Sequence, residues 1–208
     1  MKVIAINGSP RIDGSTFNCI NIVANALLME EIETEIIHVG DKNIRGCLGC
    51  RRCRVQGNVK CIYNDIVNEC IDKAIGAQGI IFGSPIYYSG ISGNLKCFLD
   101  RFFYCGGGSL LSFKVGCGLV VGRRTGGVLA CTQIYNYFNN SNIIVTPSNE
   151  FNVIHGTNKE EILLDEEGVQ VMEHLGRNMA WLIKIVADGV KKNGLPKTEK
   201  KIRTNFIR

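Results

Sequence analysis

The sequence predicts an α/β fold: a doubly wound, five-stranded parallel sheet with helices on both faces. Three observations support this. The runs at 2–7, 79–83 and 114–121 are apolar along most of their length instead of alternating, as strands buried on both faces are. Between them lie segments whose apolar residues recur at helical spacing, which supply the cover such a sheet needs. Polar, glycine-rich loops follow the first, third and fourth strands and so fall at one edge, where folds of this class bind ligands.

The chain has 208 residues, 45% of them hydrophobic, and no Pro/Ser-rich or charged linker divides it. One domain is expected over 1–193, with a cysteine-rich insertion at about 45–62 and a basic arm at 194–208 that includes Phe206 and Ile207. No run is long enough to span a bilayer, and the start lacks the apolar region of a signal peptide. Ten cysteines in such a chain read as thiols or metal ligands rather than disulfides, so a cytoplasmic protein without a membrane role is expected. The net charge of +5 is modest, and basic residues cluster only at 45–60 and in the tail, which gives nucleic-acid binding little support.

The first strand, 2–7, runs into Gly8-Ser9-Pro10-Arg11-Ile12-Asp13-Gly14-Ser15-Thr16, after which Phe17, Ile20, Ala24, Leu27 and Leu28 mark a helix. Strand, polar turn and helix place unpaired amides and the helix dipole at the turn, a suitable seat for an anion. Ser9, Ser15 and Thr16 add hydroxyls and Arg11 a charge. The glycine spacing of a dinucleotide fingerprint is missing, as is a Gly-Lys-Ser/Thr ending, so a lone phosphate suits the loop better. An ordinary capped turn would share this outline.

A second strand is expected at 35–39. The cysteine-rich segment follows, and then a helix with Ile66, Val67, Cys70, Ile71, Ala74 and Ile75 on one face and Asn64 or Asp65 as its cap. The third strand leads into a loop over 84–93, and the next helix turns Leu95, Phe98, Leu99, Phe102 and Phe103 to the core. The fourth strand ends in Gly122-Arg123-Arg124-Thr125-Gly126-Gly127. A helix through 129–138, a fifth strand at 142–145, an irregular segment to about 166 and a last helix with Met172, Leu175, Met179, Leu182 and Val186 in one stripe complete the chain.

The second loop offers a proline-fixed turn with Tyr87 and Tyr88, the third glycine-rich backbone with Arg123 and Arg124. Aromatic faces and exposed amides suit a flat heteroaromatic ring, and flavin mononucleotide has those features. With Gly8-Ser9-Pro10-Arg11 and Ser15-Thr16, then Gly83-Ser84-Pro85-Ile86-Tyr87-Tyr88, Gly93 and Leu99-Asp100-Arg101, then 122–127, the chain resembles the flavodoxin-like NAD(P)H-dependent FMN reductase family, which includes the multimeric flavodoxins. The resemblance implies FMN phosphate at Ser9, Arg11, Ser15 and Thr16. It places the ring between Pro85, Ile86, Tyr87, Tyr88, Ser89 and Gly90 and the loop of Arg123, Arg124, Thr125 and Gly126. It also implies NAD(P)H as reductant, a quinone, flavin or other acceptor, and a homodimer or homotetramer. The flavin carries the chemistry, so no catalytic side chain is named.

Cys47, Cys50, Cys53 and Cys61 have the spacing C-x2-C-x2-C-x7-C, which resembles iron–sulfur ligation more than paired zinc knuckles. The segment is similar to the compact motif of the iron–sulfur flavoproteins, a branch of the same group, which implies a 4Fe-4S cluster near FMN and a ferredoxin-like partner. Plain thiols remain the alternative, with a thiol-based sensor holding structural FMN as a further one. Arg45, Arg51, Arg52, Arg54 and Lys60 would compensate a cluster's charge or simply be solvated. Cys19, Cys70, Cys97, Cys105, Cys117 and Cys131 read as core residues. His38, His155 and His174 receive no chemistry, and Asp100 and Arg101 read as a structural ion pair or subunit contact.

Overall fold

Val3, Ile4, Ala5 and Ile6 are fully buried in the first strand, β1 (Lys2–Asn7), as a strand covered on both faces requires. The structure is a computed structural model that describes residues 1–55, 58–107, 110–197, 199, 202 and 204. β1 pairs in parallel with β2 (Glu33–His38) on one side and β3 (Gly79–Tyr87) on the other, and β3 pairs in parallel with β5 (Val115–Gly122). The strand order is β2-β1-β3-β5-β6, with β6 at Ile144–Val145, so the winding reverses between β1 and β3. Helix α1 (Ser15–Leu28) and the long α6 (Glu166–Asn193) cover one face, where Val23, Leu27, Met172, Leu175 and Met179 are buried. Helices α2 (Ile66–Ile75), α3 (Gly93–Phe102) and α4 (Gly127–Asn140) cover the other. There Phe82 meets Phe98, Phe102 and Phe138 at centroid distances of 6.4, 5.8 and 5.8 Å.

Among the described residues the sheet has seven strands instead of the expected five, for two local reasons. The fifth position is shared by two short strands: β6 pairs with the start of β5 and β7 (Val153–His155) with its end. Between them Asn152, buried, donates through Nδ2 to the Gly118 carbonyl at 2.9 Å and accepts Val120 N–H on its own carbonyl at 3.0 Å, which continues the ladder across the break. The other addition is β4 (Gly90–Ile91), which folds back on β3 and turns much of the expected loop over 84–93 into a hairpin. Its two turn residues, Tyr88 and Ser89, have φ of +49° and +62°, as a primed two-residue turn demands.

Asp65 is the cap of α2, its Oδ1 accepting Val67 N–H at 3.1 Å, and Ser92 caps α3 by accepting Leu95 N–H at 3.3 Å. The expected irregular segment before α6 also holds α5 (Lys159–Ile162). Among the described residues, no helix is long and apolar enough to cross a membrane. Much of the expected basic arm, including Phe206 and Ile207, lies outside the described residues.

Candidate functional site

The loop after β1 is fixed by its neighbours. Gly8 N–H donates to the Gly83 carbonyl at 2.9 Å, Ser9 N–H to Asn7 Oδ1 at 3.0 Å, and Arg11 N–H to Ser9 Oγ at 3.2 Å. His38 Nε2 donates to the Ser9 carbonyl at 2.7 Å, and a Cβ on Gly40 would lie 1.8 Å from that same oxygen, so only glycine permits this approach. At the head of α1, Gly14 is the cap residue without any side-chain hydrogen bond, and no acidic residue occupies the first turn. The amide end of α1 therefore faces the loop uncapped, beside Ser15, Thr16 and Arg11. This is a polarity that attracts an anion.

The second and third loops meet each other. Gly126 has φ +89° and ends the approach to α4, and a Cβ there would lie 2.6 Å from Ser89 Oγ. Gly122 closes on Ile86 in the same way. Ser92 links the second loop to the first, donating through Oγ to the Gly8 carbonyl at 2.8 Å while its N–H donates to Ser84 Oγ at 2.9 Å. Tyr87 is half exposed and Tyr88 fully exposed at the turn tip.

Ser9, Arg11, Ser15, Thr16, Pro85, Ile86, Tyr87 and Arg123 line one cleft of about 240 Å³. Ser89, Arg124, Thr125 and Gly126 line a neighbouring pocket of about 580 Å³. Tyr88 and Gly90 line neither cleft: Gly90 is held in the β3–β4 hairpin. Gly156 and Thr157, just past β7, complete the first cleft and were missed because three strand residues in a polar segment carry too weak a pattern. His155, given no chemistry above, lines the second pocket, and its backbone N–H donates to Asp165 at 2.7 Å. Hydroxyls, an uncapped helix end and Arg11 at one end of the cleft, with Ile86 and Tyr87 in its wall, fit a phosphate ester joined to a flat ring.

Cys47, Cys50, Cys53 and Cys61 line a separate enclosure of about 20 Å³, together with Cys105, Tyr63, Tyr104 and Arg101. Cys53 is buried and Cys61 half-buried, whereas Cys47 and Cys50 are exposed. Among the described residues, no three His, Cys, Asp or Glu side chains are grouped to hold a metal ion. Cys105, read above as a core residue, sits with Cys53 and Cys61, and burial first, then these two neighbours, push its thiol pKa well up. Arg101 is 1% exposed. Its fork grips Asp65 at 2.6 and 2.9 Å, and its Nε donates to Cys61 Sγ at 3.3 Å. Burial works against its charge, but the bonds to Asp65 and Cys61 prevail and hold the guanidinium charged. Asp100 pairs with Lys96 and accepts from Tyr137, whose hydroxyl burial and Asp100 push up to about 12. Asp100 and Arg101 thus bind different partners, although they are adjacent in sequence.

The model of a family described as NADPH-dependent FMN reductase matches residues 1–158. An iron–sulfur flavoprotein of Methanocaldococcus jannaschii is 36% identical over 193 residues, spanning 89% of this chain and 99% of its own. A second iron–sulfur flavoprotein of that organism is 31% identical over 83% of this chain and 91% of its own. Among solved structures, a flavone reductase superposes with a TM-score of 0.70 at 20% identity, covering 90% of this chain and 64% of its own, which is a likeness of fold.

Proposed function

The chain belongs to the NADPH-dependent FMN reductase family and is an FMN-dependent oxidoreductase, and from that premise we propose that NAD(P)H is its electron donor and that the cleft between its first and second loops is the FMN site. The observation that carries this reading is the convergence of an uncapped helix end, Arg11 and the β3–β4 hairpin on one cleft at the reversal point of the sheet. Bound FMN supplies acceptance of a hydride and release of electrons singly or in pairs to a second small molecule.

The side chains act by position. The amide end of α1, Ser9, Ser15, Thr16 and Arg11 bind the phosphate. Pro85, Ile86 and Tyr87 face the ring from the hairpin and Arg123 from the loop opposite, while Ser89, Arg124, Thr125 and Gly126 line the pocket beside it. An arginine at the ring's polar edge would favour its anionic, reduced form. The domain at 1–193 carries this site, and assembly into a homodimer or homotetramer is part of the proposal.

A second reading is favoured by the cysteine enclosure. Cys47, Cys50, Cys53 and Cys61 hold a 4Fe-4S cluster, and the protein exchanges electrons with a ferredoxin-like partner. It is supported by four thiols in C-x2-C-x2-C-x7-C spacing around one space, by a buried guanidinium on one of them, and by the iron–sulfur flavoproteins among the relatives. The ten cysteines are all unpaired, which supports a reducing, cytoplasmic setting.

Anaerobic purification followed by flavin, iron and sulfide assays, then rapid mixing with NADH or NADPH, tests both readings. The proposal expects about one FMN per chain and bleaching of the flavin band within a turnover time of seconds or less. Bleaching far slower than by a reduced ferredoxin contradicts the NAD(P)H reading and favours the carrier. Flavin without iron and sulfide removes the carrier in its cluster form.

A further inference from the structure

The cysteine-rich insertion leaves the domain near residue 45 and returns near residue 63, and one buried side chain holds both shoulders. Arg101, on α3, donates through Nη1 to the Arg45 carbonyl at 3.4 Å and through Nη2 to the Tyr63 carbonyl at 3.3 Å. The Tyr63 ring stands over its guanidinium at 5.1 Å. Asp65 supplies one counter-charge through both oxygens, and Nε–H remains for Cys61 Sγ. Cys61 is pinned a second way. Asn68, buried on α2, accepts its backbone N–H at 2.8 Å and donates to its carbonyl at 3.0 Å. Backbone and sulfur of one cysteine are therefore both oriented from neighbouring helices, while Cys47 and Cys50 stand exposed.

Resting on the cluster reading above, we propose that Arg101 is the positioning residue of the cysteine site: it closes the insertion, fixes Cys61 Sγ as the preformed corner for an iron–sulfur cluster, and sets the cluster's charge balance from inside the protein. A neutral thiol is a weak acceptor for a guanidinium N–H, whereas a metal-bound thiolate makes a charge-assisted bond of the kind that orients ligands and tunes a metal site. The cations Arg45, Arg51, Arg52, Arg54 and Lys60 are all exposed, where solvent and salt screen them. Arg101 is the buried one, so its charge is felt most strongly. Asp65 opposes it from the far side, and the pair gives the proposal a signed test.

The full chain, as wild type, Arg101→Gln and Asp65→Asn, is reconstituted anaerobically with ferrous iron and sulfide. Iron and sulfide content, the rate of iron loss to a chelator and the midpoint potential of the cluster are then read, with the flavin's own potential and FMN content as references for folding. Arg101→Gln removes the cation and leaves Asp65, so the cluster potential falls by a tenfold shift in the oxidised-to-reduced balance, about 59 mV for one electron, and iron is lost at least tenfold faster. Asp65→Asn keeps a competent helix cap and removes the opposing charge, so the potential rises. A merely structural role would not move the two potentials in opposite directions. Should Arg101→Gln fail to retain FMN, the sign of the Asp65→Asn shift decides alone. Wild-type potentials and iron retention in both variants, or a fall in Asp65→Asn, overturn the proposal. A wild-type protein that takes up no iron and sulfide overturns the cluster reading and this inference with it.

Discussion

Ser15 is the residue at which folding and anion binding separate most cleanly. It opens α1, where an acidic side chain favours the helix dipole, so Ser15→Glu leaves the fold intact or slightly firmer. The same carboxylate would stand against the phosphate in the cleft that Ser15 lines. The expected outcome is unchanged thermal unfolding of the apoprotein and at least a 100-fold loss of FMN affinity, about 2.8 kcal/mol, read by fluorescence titration. Unaltered affinity would remove Ser15 from the phosphate site. This loop was legible in the sequence because strand, glycine, hydroxyls and helix are contiguous there. Arg101 was not legible as part of the cysteine site. Its partners, Arg45, Cys61, Tyr63 and Asp65, lie more than 35 positions away, and only the packing of α2 against α3 unites them.

Among the elements, the β3–β4 hairpin shows how local chemistry hides a structure. Primed turns ordinarily carry Asn-Gly or Asp-Gly, and Tyr88-Ser89 gives no such signal, so the segment reads as a loop. A tyrosine at φ +49° costs about 1 kcal/mol or more, and Tyr88 buries nothing in return within the chain. Tyr88→Asn should therefore raise the denaturation midpoint of the apoprotein and leave FMN retention as in wild type, since Tyr88 lines neither cleft. A variant that is less stable, or that loses FMN, contradicts this reading of Tyr88. The divided fifth position escaped sequence reading for a different reason: β6 and β7 are two and three residues long, too short for a period of two to show. Across β1, β2 and α2, Glu35 binds Lys2 at 2.5 Å and Lys73 at 2.7 Å, and these two bonds, Lys2 first, hold its carboxyl below the usual range. Its contribution is present above the unfolded value of about 4.3 and is lost as pH falls through the lowered folded value. Urea denaturation at pH 7 and pH 3 should show Glu35→Gln less stable than wild type at pH 7 and the gap narrowing at pH 3. A constant gap would contradict the assignment.

For the whole molecule, the order β2-β1-β3-β5-β6 brings the loops after β1, β3 and β5 to one edge, and hydrogen bonds tie the first to the second. That much follows from continuous apolar strands alternating with helices, because parallel strands put all their carboxyl ends on one side. The cysteine enclosure is lined by the segments after β2 and before α2, by Arg101 on α3 and by the turn after α3, so the two sites share a domain without sharing lining side chains. The central claim is that the cleft at the head of α1 binds a phosphate and thereby selects FMN. Titration of the flavin-free protein with FMN and with riboflavin, which differ only in that phosphate, tests it most directly. The account predicts FMN binding at least 100-fold tighter, a difference of about 2.8 kcal/mol, and equal affinity for the two flavins would contradict it.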